Sequence, residues 1–527
     1  MKTTISLAFG LALMTSSFAQ HGVDPNWGNE VLLPRHFENQ NSKQRGVLFN
    51  NNIATSIGKI IILTSEVNPT NSSQLYGYSF ITSTNGGANW TTQQFSPPIP
   101  SGGLKLAITP QDTVFALWTS GSVGSPAIFI TKLDANLNVI KDSVRVSNSQ
   151  LHGNFKTHFT TDKYGRIHVM WHEGEPKTSQ TAVCYYTRSI DGGNTWQPTQ
   201  MISNNLGKHA AYPHAEFDVA GDTLCIAWRD SINSSIPVRG RWDVSGCFST
   251  NGGLTWTTAQ PIIATTDADW DPDVLIDPQG RIHLFYHVYP ANFPTSKAYI
   301  RYQYTDNVGS SWNMPTNLPS GHPTGQLSQP TIASHLIEGT RFDLANGILW
   351  TTWKDERDFV IGNSKADMMA AYSVDRGVTW SSPEFVTDRN DSIVGFKSAA
   401  LLPTGEFFVN YEVWSNHSPN DANGFMRIYF RKRQLITASI EKHEIQNEQF
   451  TIYPNPFSTQ TTVQTDVPQT NAILTIVNCF GQTVVEIKNF NGQTITLQRN
   501  DLPAGLYFVQ LTEDNKQIAT KKIIIAD

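Results

Sequence analysis

The 527-residue sequence predicts an all-β protein: a seven-bladed β-propeller, with six blades as the alternative, followed by a small β-sandwich. Three observations predict it. An eight-residue frame, Ser/Thr-x-Asp/Asn-x-Gly-x-(small polar)-Trp, recurs at Ser83–Trp90, Ser189–Trp196, Ser249–Trp256, Thr305–Trp312 and Ser373–Trp380. Seven similar units run from Val47 to Ile436, each an extended stretch, a Gly- or Asp-containing turn and a second strand that ends, in all but the first unit (Thr64), at an aromatic residue. After Phe450 the chain changes to longer alternating stretches with no copy of the frame. Short antiparallel strands repeated at a spacing of roughly 50–70 residues are the pattern of a propeller.

In chain order, Met1–Ala19 reads as a secretory signal: Lys2, an apolar run Ile5–Met14, then Ser17-Phe18-Ala19 as a small-x-small cleavage site. Trp27–Pro34 (WGNEVLLP) has the look of a strand that follows a frame but has none upstream. It is expected to pair with the last unit as an outer strand, closing the ring and removing open sheet edges.

The units share a frame of their own. Gly165–His172 (GRIHVMWH) and Gly280–His287 (GRIHLFYH) are nearly identical, and Trp118, Trp228, Trp353 and Tyr411 fall at the same aromatic position. Units two and seven lack the Trp-ending frame, so its copies alone do not fix the blade number. Within the frame, Asp or Asn accepts hydrogen bonds from following amides, Gly supplies a positive φ, and the Trp packs beneath the turn with its ring N–H near a carbonyl. The frame resembles the Asp-box, or BNR, repeat of sialidase-like β-propellers, which implies a hairpin staple rather than a reactive site.

Residues 437–449 are polar without strand pattern and read as a linker between a propeller at 20–436 and a domain at 450–527. The latter opens with Tyr453-Pro454-Asn455-Pro456, carries Leu502–Leu511 (LPAGLYFVQL) late, and ends on Lys521–Ile525. These motifs, in this order, resemble the type A sorting domain of the type IX secretion system of Bacteroidota. The resemblance implies the secretion machinery as a partner and an outer-surface or secreted location.

Formal net charge is −6 with basic residues dispersed, which argues against a nucleic-acid surface. No apolar run reaches the roughly 18 residues of a membrane-spanning helix. Cys184, Cys225, Cys247 and Cys479 lack metal-ligand spacing; Cys225 and Cys247 fall on neighbouring strands, which leaves a cross-strand disulfide open. No cofactor is called for.

Chemistry is expected at the end opposite the Trp-ending turns, where loops from every blade converge. The residue after the aromatic position is polar and differs in every unit but two, which share His: it is Ser65, Thr119, His172, Arg229, His287, Lys354 and Glu412 in turn. Glu173, Asp230 and Arg357 follow closely, and the starts of the innermost strands add Arg45, Tyr212, His214, Asp269, Asp271 and Asp273. The sialidase resemblance implies a glycan substrate held by an arginine clamp (Arg45, Arg229, Arg357), a Tyr212 or Tyr411 nucleophile, Glu173 or Glu412 as its partner, and Asp271 or Asp273 as acid/base. The family's early Arg-Ile-Pro motif is missing. Two alternatives stand beside it. One is a polysaccharide lyase working through Tyr212 and the histidines His209 and His214, with His152, His158 and His172 nearby in sequence and Arg229 or Lys354 neutralising a uronate. The other is a non-catalytic glycan-binding adhesin.

Overall fold

A computed structural model describes residues 22–526 apart from 47–50, 72–73, 98–101, 121–126, 148–156, 175–181, 204–209, 218–221, 231–241, 290–298, 319–340, 344–346, 356–366, 389–391, 416–425, 435–449, 479–482 and 514–515. The expected signal segment, the linker, Arg357 and Cys479 lie outside the described residues. The chain divides into two compact units, Met1–Leu435 and Ile436–Asp527.

The first unit is built of small antiparallel sheets, with one three-residue 3-10 turn at Glu38–Gln40 among the described residues. Seven sheets are described there. The fourth is representative: Ala210–Phe217, Leu224–Asp230, Asp243–Ser249 and Gln260–Ile263 lie side by side in sequence order. The fifth follows the same order with Ala268–Ile276, Ile282–Tyr289, Tyr299–Thr305 and Thr316–Asn317. In the first sheet the opening strand is split into Lys43–Gly46 and Asn52–Ala54, both paired to Ile60–Val67.

Continuous apolar runs in the second strands explain the packing, since both faces are buried. Leu224–Asp230 and Val114–Ser120 are buried at every position. Apolar clusters join consecutive sheets: Leu63 and Phe80 meet Leu106 and Trp118, Phe115 and Ile130 meet Phe159 and Trp171, and Tyr186 meets Trp228. Phe248 then meets Leu284, Phe285 meets Trp353 and Met369, and Phe408 and Phe430 meet Ile60 and Ile62. Trp350 of the sixth sheet stacks on Phe407 of the seventh at 4.7 Å and 5°.

Ring closure uses the N-terminal segment. Val31–Leu32 pairs antiparallel with Met426–Lys432, Val31 opposite Phe430 and Leu32 opposite Tyr429. Trp27, 5 % exposed, donates its ring N–H to Glu384 at 2.9 Å, and Glu384 also accepts from Arg433 at 2.7 Å. A bidentate arginine–carboxylate pair in a buried setting needs all its partners, so these three residues act together.

The disulfide possibility is corrected. Cys184, Cys225 and Cys247 are buried thiols. The register sets Cys247 opposite Ile226 and Cys225 opposite Phe248, and adjacent strand positions face opposite ways. Cys225 therefore packs toward the fifth sheet, while Cys247 packs with Cys184 toward the third.

The second unit holds Phe450–Tyr453, Gln460–Asn478, Thr483–Gln498, Gly505–Glu513 and Lys516–Ile525 around its own core, including Val463, Leu474, Val509 and Ile523. These strands are linked by hydrogen bonds into a single pairing order. The long strand Gln460–Asn478 pairs with Phe450–Tyr453 on its first half and Gly505–Glu513 on its second, and register shifts along its pairing with Thr483–Gln498 are the bulges that bend it.

Candidate functional site

The Trp-ending turns mark the end of the sheets to set aside. In Ser189–Trp196, the Gly193 amide donates to Ser189 Oγ at 2.8 Å, and the Thr195 amide and hydroxyl donate to the Asp191 carboxylate at 2.9 and 2.6 Å. Those hydrogen bonds hold the Asp191 carboxyl down at about 2 against the opposing effect of burial. The fifth-position glycines, Gly87, Gly193, Gly253, Gly309 and Gly377, all have φ between +80° and +93°. At each, a Cβ would collide with a side chain of the neighbouring sheet (Phe430, Ile130, Tyr186, Phe248 and Tyr302 respectively). The ring N–H contact expected of the Trp is made by Trp90, which donates to the Gly87 carbonyl at 2.9 Å. The ring nitrogens of Trp196, Trp256 and Trp380 are buried with no acceptor among the described residues.

At the opposite end, the innermost strands share an irregularity. The fourth sheet pairs Ala211 with Arg229 and His214 with Ala227, so Tyr212-Pro213 carries one extra residue opposite Trp228. In the fifth sheet Trp270 pairs with His287 and Asp273 with Phe285, so Asp271-Pro272 bulges opposite Tyr286. The second sheet repeats this at Gly103-Leu104, and the seventh at Gly395-Phe396, one step further on, opposite Glu412. Bulges re-aim side chains, and proline is tolerated inside a sheet at such a point because no ladder hydrogen bond is required of it. Ala210–Phe217 and Ala268–Ile276 lie against each other, so the bulges at Tyr212 and Asp271 belong to adjoining strands.

A row of carboxylates lies at this same end. Asp230 closes the second strand of the fourth sheet and stands directly opposite Asp243, which opens the third. Asp269 opens the fifth sheet, and its amide donates to the Trp242 carbonyl at 2.7 Å, fixing it beside Asp243. All three are at most 3 % exposed. Thr265 donates to Asp269 Oδ2 at 2.8 Å, while Oδ1 is buried with no hydrogen-bond partner among the described residues. Burial, with the neighbouring Asp243, pushes the Asp269 carboxyl up to about 7, against the Thr265 hydrogen bond and Arg301. Burial and Asp230 push Asp243 up to about 6. Desolvation and like charge act in the same direction, each disfavouring the ionised form. Asp230 is reached by the Trp228 ring N–H at 3.3 Å.

The remaining sequence candidates are distributed around the ring. His172, Arg229, His287 and Glu412 are not solvated loop ends but buried, at 2, 6, 1 and 0 % exposure. Arg229 lies over the Trp242 ring at 5.2 Å, in the same sheet as Tyr212. Glu173, on the third sheet, accepts from the Trp171 ring N–H at 2.9 Å. Tyr411, fully buried on the seventh sheet, donates its hydroxyl to Glu30 and stacks on Tyr429 at 6.2 Å. Glu412 is next to it on one strand and faces the other way, so Tyr411 and Glu412 are not a nucleophile–partner pair. Asp273 is half-buried just past its bulge. Tyr212, His214, Asp271, Arg45 and Lys354 have described backbones, on the fourth, fourth, fifth, first and sixth sheets, and their side chains lie outside the described residues. The arginine clamp thus draws on separate sheets, Arg45 from the first and Arg229 from the fourth.

Asp243 was missed by sequence reasoning. Counting back from the Ser249–Trp256 turn in the antiparallel register would have set it opposite Asp230. Pro213 and Pro272, inside innermost strands, were the available signal for the bulges. Among the described residues no group of three or more His, Cys, Asp or Glu side chains is placed to hold a metal ion, and no helix is long and apolar enough to cross a membrane.

Comparison with known proteins agrees with the two-part organisation. Residues 223–443 match a BNR repeat-like domain, and residues 451–526 match a secretion system C-terminal sorting domain. The sorting domain marks the chain for type IX secretion to the cell surface or beyond. No functionally curated protein matches the chain. Similar solved structures include a protein of unknown function from Dyadobacter fermentans DSM 18053, 13 % identical over 78 % of this chain and 99 % of that one, with a TM-score of 0.45. A PL25 ulvan lyase bound to -[GlcA(1-4)Rha3S]- is 11 % identical over 73 % and 95 %, with a TM-score of 0.48. An α-L-arabinofuranosidase from Fusarium graminearum is 11 % identical over 77 % and 98 %, with a TM-score of 0.41.

Proposed function

We propose that the first unit is a seven-bladed propeller, exported by way of an N-terminal signal segment and the sorting domain, and that it cleaves glycosidic bonds at the seam between its fourth and fifth sheets. The observation that carries this reading is Asp269: a buried carboxyl held near neutrality, with an oxygen that no described group engages. A carboxylic acid that keeps its proton near pH 7 can deliver it to the leaving oxygen of a sugar, which is what glycosidic cleavage needs most. Burial is the main reason Asp269 keeps its proton, and the like charge of neighbouring Asp243 adds to it.

Tyr212 and Asp271, at the bulges of the adjoining innermost strands, are the groups best placed along the backbone to supply the attacking or assisting function. This moves the proton donor from Asp271 or Asp273, as the sialidase resemblance has it, to Asp269. Arg229, fixed on Trp242 in the same sheet, puts a cation beside this seam for an anionic sugar.

The test is turnover by the purified full chain on a panel of sialosides, α-L-arabinofuranosides and uronate polysaccharides, with Asp269→Asn alongside. Turnover that collapses in Asp269→Asn supports the reading. Glycan binding without turnover on any substrate replaces it with the adhesin. Release of unsaturated products, with Asp269→Asn unaffected, replaces it with the lyase.

A further inference from the structure

Where the N-terminal segment wraps the junction of the first and seventh sheets, Arg35 and Arg427 flank one short loop. Arg427, half-buried at the start of Met426–Lys432, reaches the Leu33 carbonyl at 3.3 Å and Gln44 Oε1 at 3.4 Å. Arg35 donates to the Ser42 carbonyl at 2.5 Å from the other side. Gln44 ties the loop shut by donating to the Pro34 carbonyl at 2.7 Å. Both guanidinium groups are therefore anchored on residues 33–44, with long or single hydrogen bonds for groups that carry five donors each.

Two carboxylates lie near the pair, Glu66 and Glu38. Glu66 is fully occupied: His36 and Phe37 amides donate to it at 2.6 and 3.0 Å, and Ser42 and Ser79 hydroxyls complete its shell. Glu38 lies 3.7 Å from Arg35, but it is 69 % exposed, and such a pair contributes little. Arg35 Nε is buried with no acceptor among the described residues. Burial, and after it the charge of Arg35, lower the affinity of Arg427 for its own proton against the opposing pull of Tyr429, Glu38 and Glu66.

We propose that Arg35 and Arg427 form a binding site for an oxyanion, the carboxylate or sulfate ester of an acidic glycan, on the seam between the first and seventh sheets. Planar guanidinium groups bind such anions through paired N–H donors, and an anion here would engage the buried Arg35 Nε and relieve the repulsion between the two cations. The site is set apart from the Asp269 seam, on the third strand of the last sheet rather than an innermost one. The anion part is independent of the cleavage reading; the glycan part rests on it.

The full chain is titrated calorimetrically with three probes: an oligouronate, a sulfated neutral oligosaccharide and inorganic sulfate. At least one is expected to bind, and the one that binds identifies the anion. Arg427→Gln is expected to weaken that binding about tenfold or more, Arg427→Lys less, and Asp269→Asn not at all. Arg35→Gln serves in place of Arg427→Gln if the latter fails to fold by thermal unfolding. The proposal is overturned if no probe binds, if both Gln variants bind as the parent does, or if only Asp269→Asn loses binding.

Discussion

His283 Nδ1 lies 2.8 Å from the Tyr302 hydroxyl, and His168 Nδ1 lies 2.7 Å from that of Tyr186, one arrangement built twice. The second ring nitrogen faces Asp277 Oδ2 at 3.4 Å in one and Asp162 Oδ2 at 3.3 Å in the other. A carboxylate facing Nε2 fixes the proton there, so Nδ1 accepts from the tyrosine. Each tyrosine in turn packs against the glycine of the next sheet's turn, Gly377 and Gly253. Asp277 also receives Arg376 from that next turn, at 2.5 and 3.1 Å. Each triad thus latches one sheet to its neighbour.

Removing the hydroxyl leaves His283 Nδ1 buried and unserved. Tyr302→Phe is expected to lower stability by about 1–3 kcal/mol, read from denaturant midpoints, with little effect on any activity at the other end of the sheets.

The latch also sets an acid limit. Burial lowers the His283 pKa, so its neutral form belongs to the folded state. Protonation in the unfolded chain then costs stability as pH falls below about 6.5. Asp277 is opposed by burial, but the His283 and Arg376 hydrogen bonds win and hold it well below its ordinary value. Its contribution is present above about pH 4 and lost below. Thermal unfolding across pH 3–7 checks this: Tm is expected to fall in both windows, and a flat profile would contradict the latch.

Asp269 works in the opposite sense. Its pKa is raised to about 7, so the folded state keeps a proton that the unfolded chain releases from about pH 4 upward. Its contribution to stability declines between those values. Asp269→Asn is expected to be relatively more stable than the parent at pH 8 than at pH 4. On a cleaved substrate it is expected to lose about 10²–10⁴-fold in kcat, and the parent's rate to fall above about pH 7.

Two glycines with the same backbone separate strain from collision. Gly280 and Gly377 both have φ +84°, but a Cβ at Gly280 meets nothing within 4 Å while one at Gly377 strikes Tyr302. Gly280→Ala is expected to cost about 1 kcal/mol and Gly377→Ala about 2–3 kcal/mol more, measured as a difference in unfolding free energy.

Trp27→Ala removes a buried ring that stands edge-on to Phe407 at 6.1 Å and donates to Glu384. The expected loss is about 3–5 kcal/mol, detectable as a drop in Tm and as proteolytic release of the N-terminal segment.

The periodic parts of this architecture were legible because they depend on local chemistry. The Ser189–Trp196 turn is written in Asp191 and Gly193, and the partnering of the Trp27–Pro34 segment with the last sheet follows from the need to cover an edge. The acidic seam was less so. Asp230 and Asp269 could be picked out as polar residues at strand ends, but their joining through Asp243 depends on register and on the packing of one sheet against the next. The latch shows the same limit: His168 and His283 stand in the repeated GRIH stretch, yet their tyrosine partners come from the next strand and their purpose from the next sheet. Cys225 and Cys247 mark the converse case, where correct neighbouring strands gave no bridge because register points the two thiols apart.

The seventh sheet draws Val31 and Phe430 together from 399 positions apart in sequence, and both must be in place before that pairing exists. That pairing joins the first and last described strands of the first unit. A polypeptide cut short of Met426–Lys432 exposes the bare edge of Phe407–Ser415, a template for unwanted association. The sorting domain begins at residue 451, beyond that closing strand. Any chain too short to close its ring therefore also lacks the sorting domain, so completeness of the fold and the sorting signal are written into one stretch of sequence order.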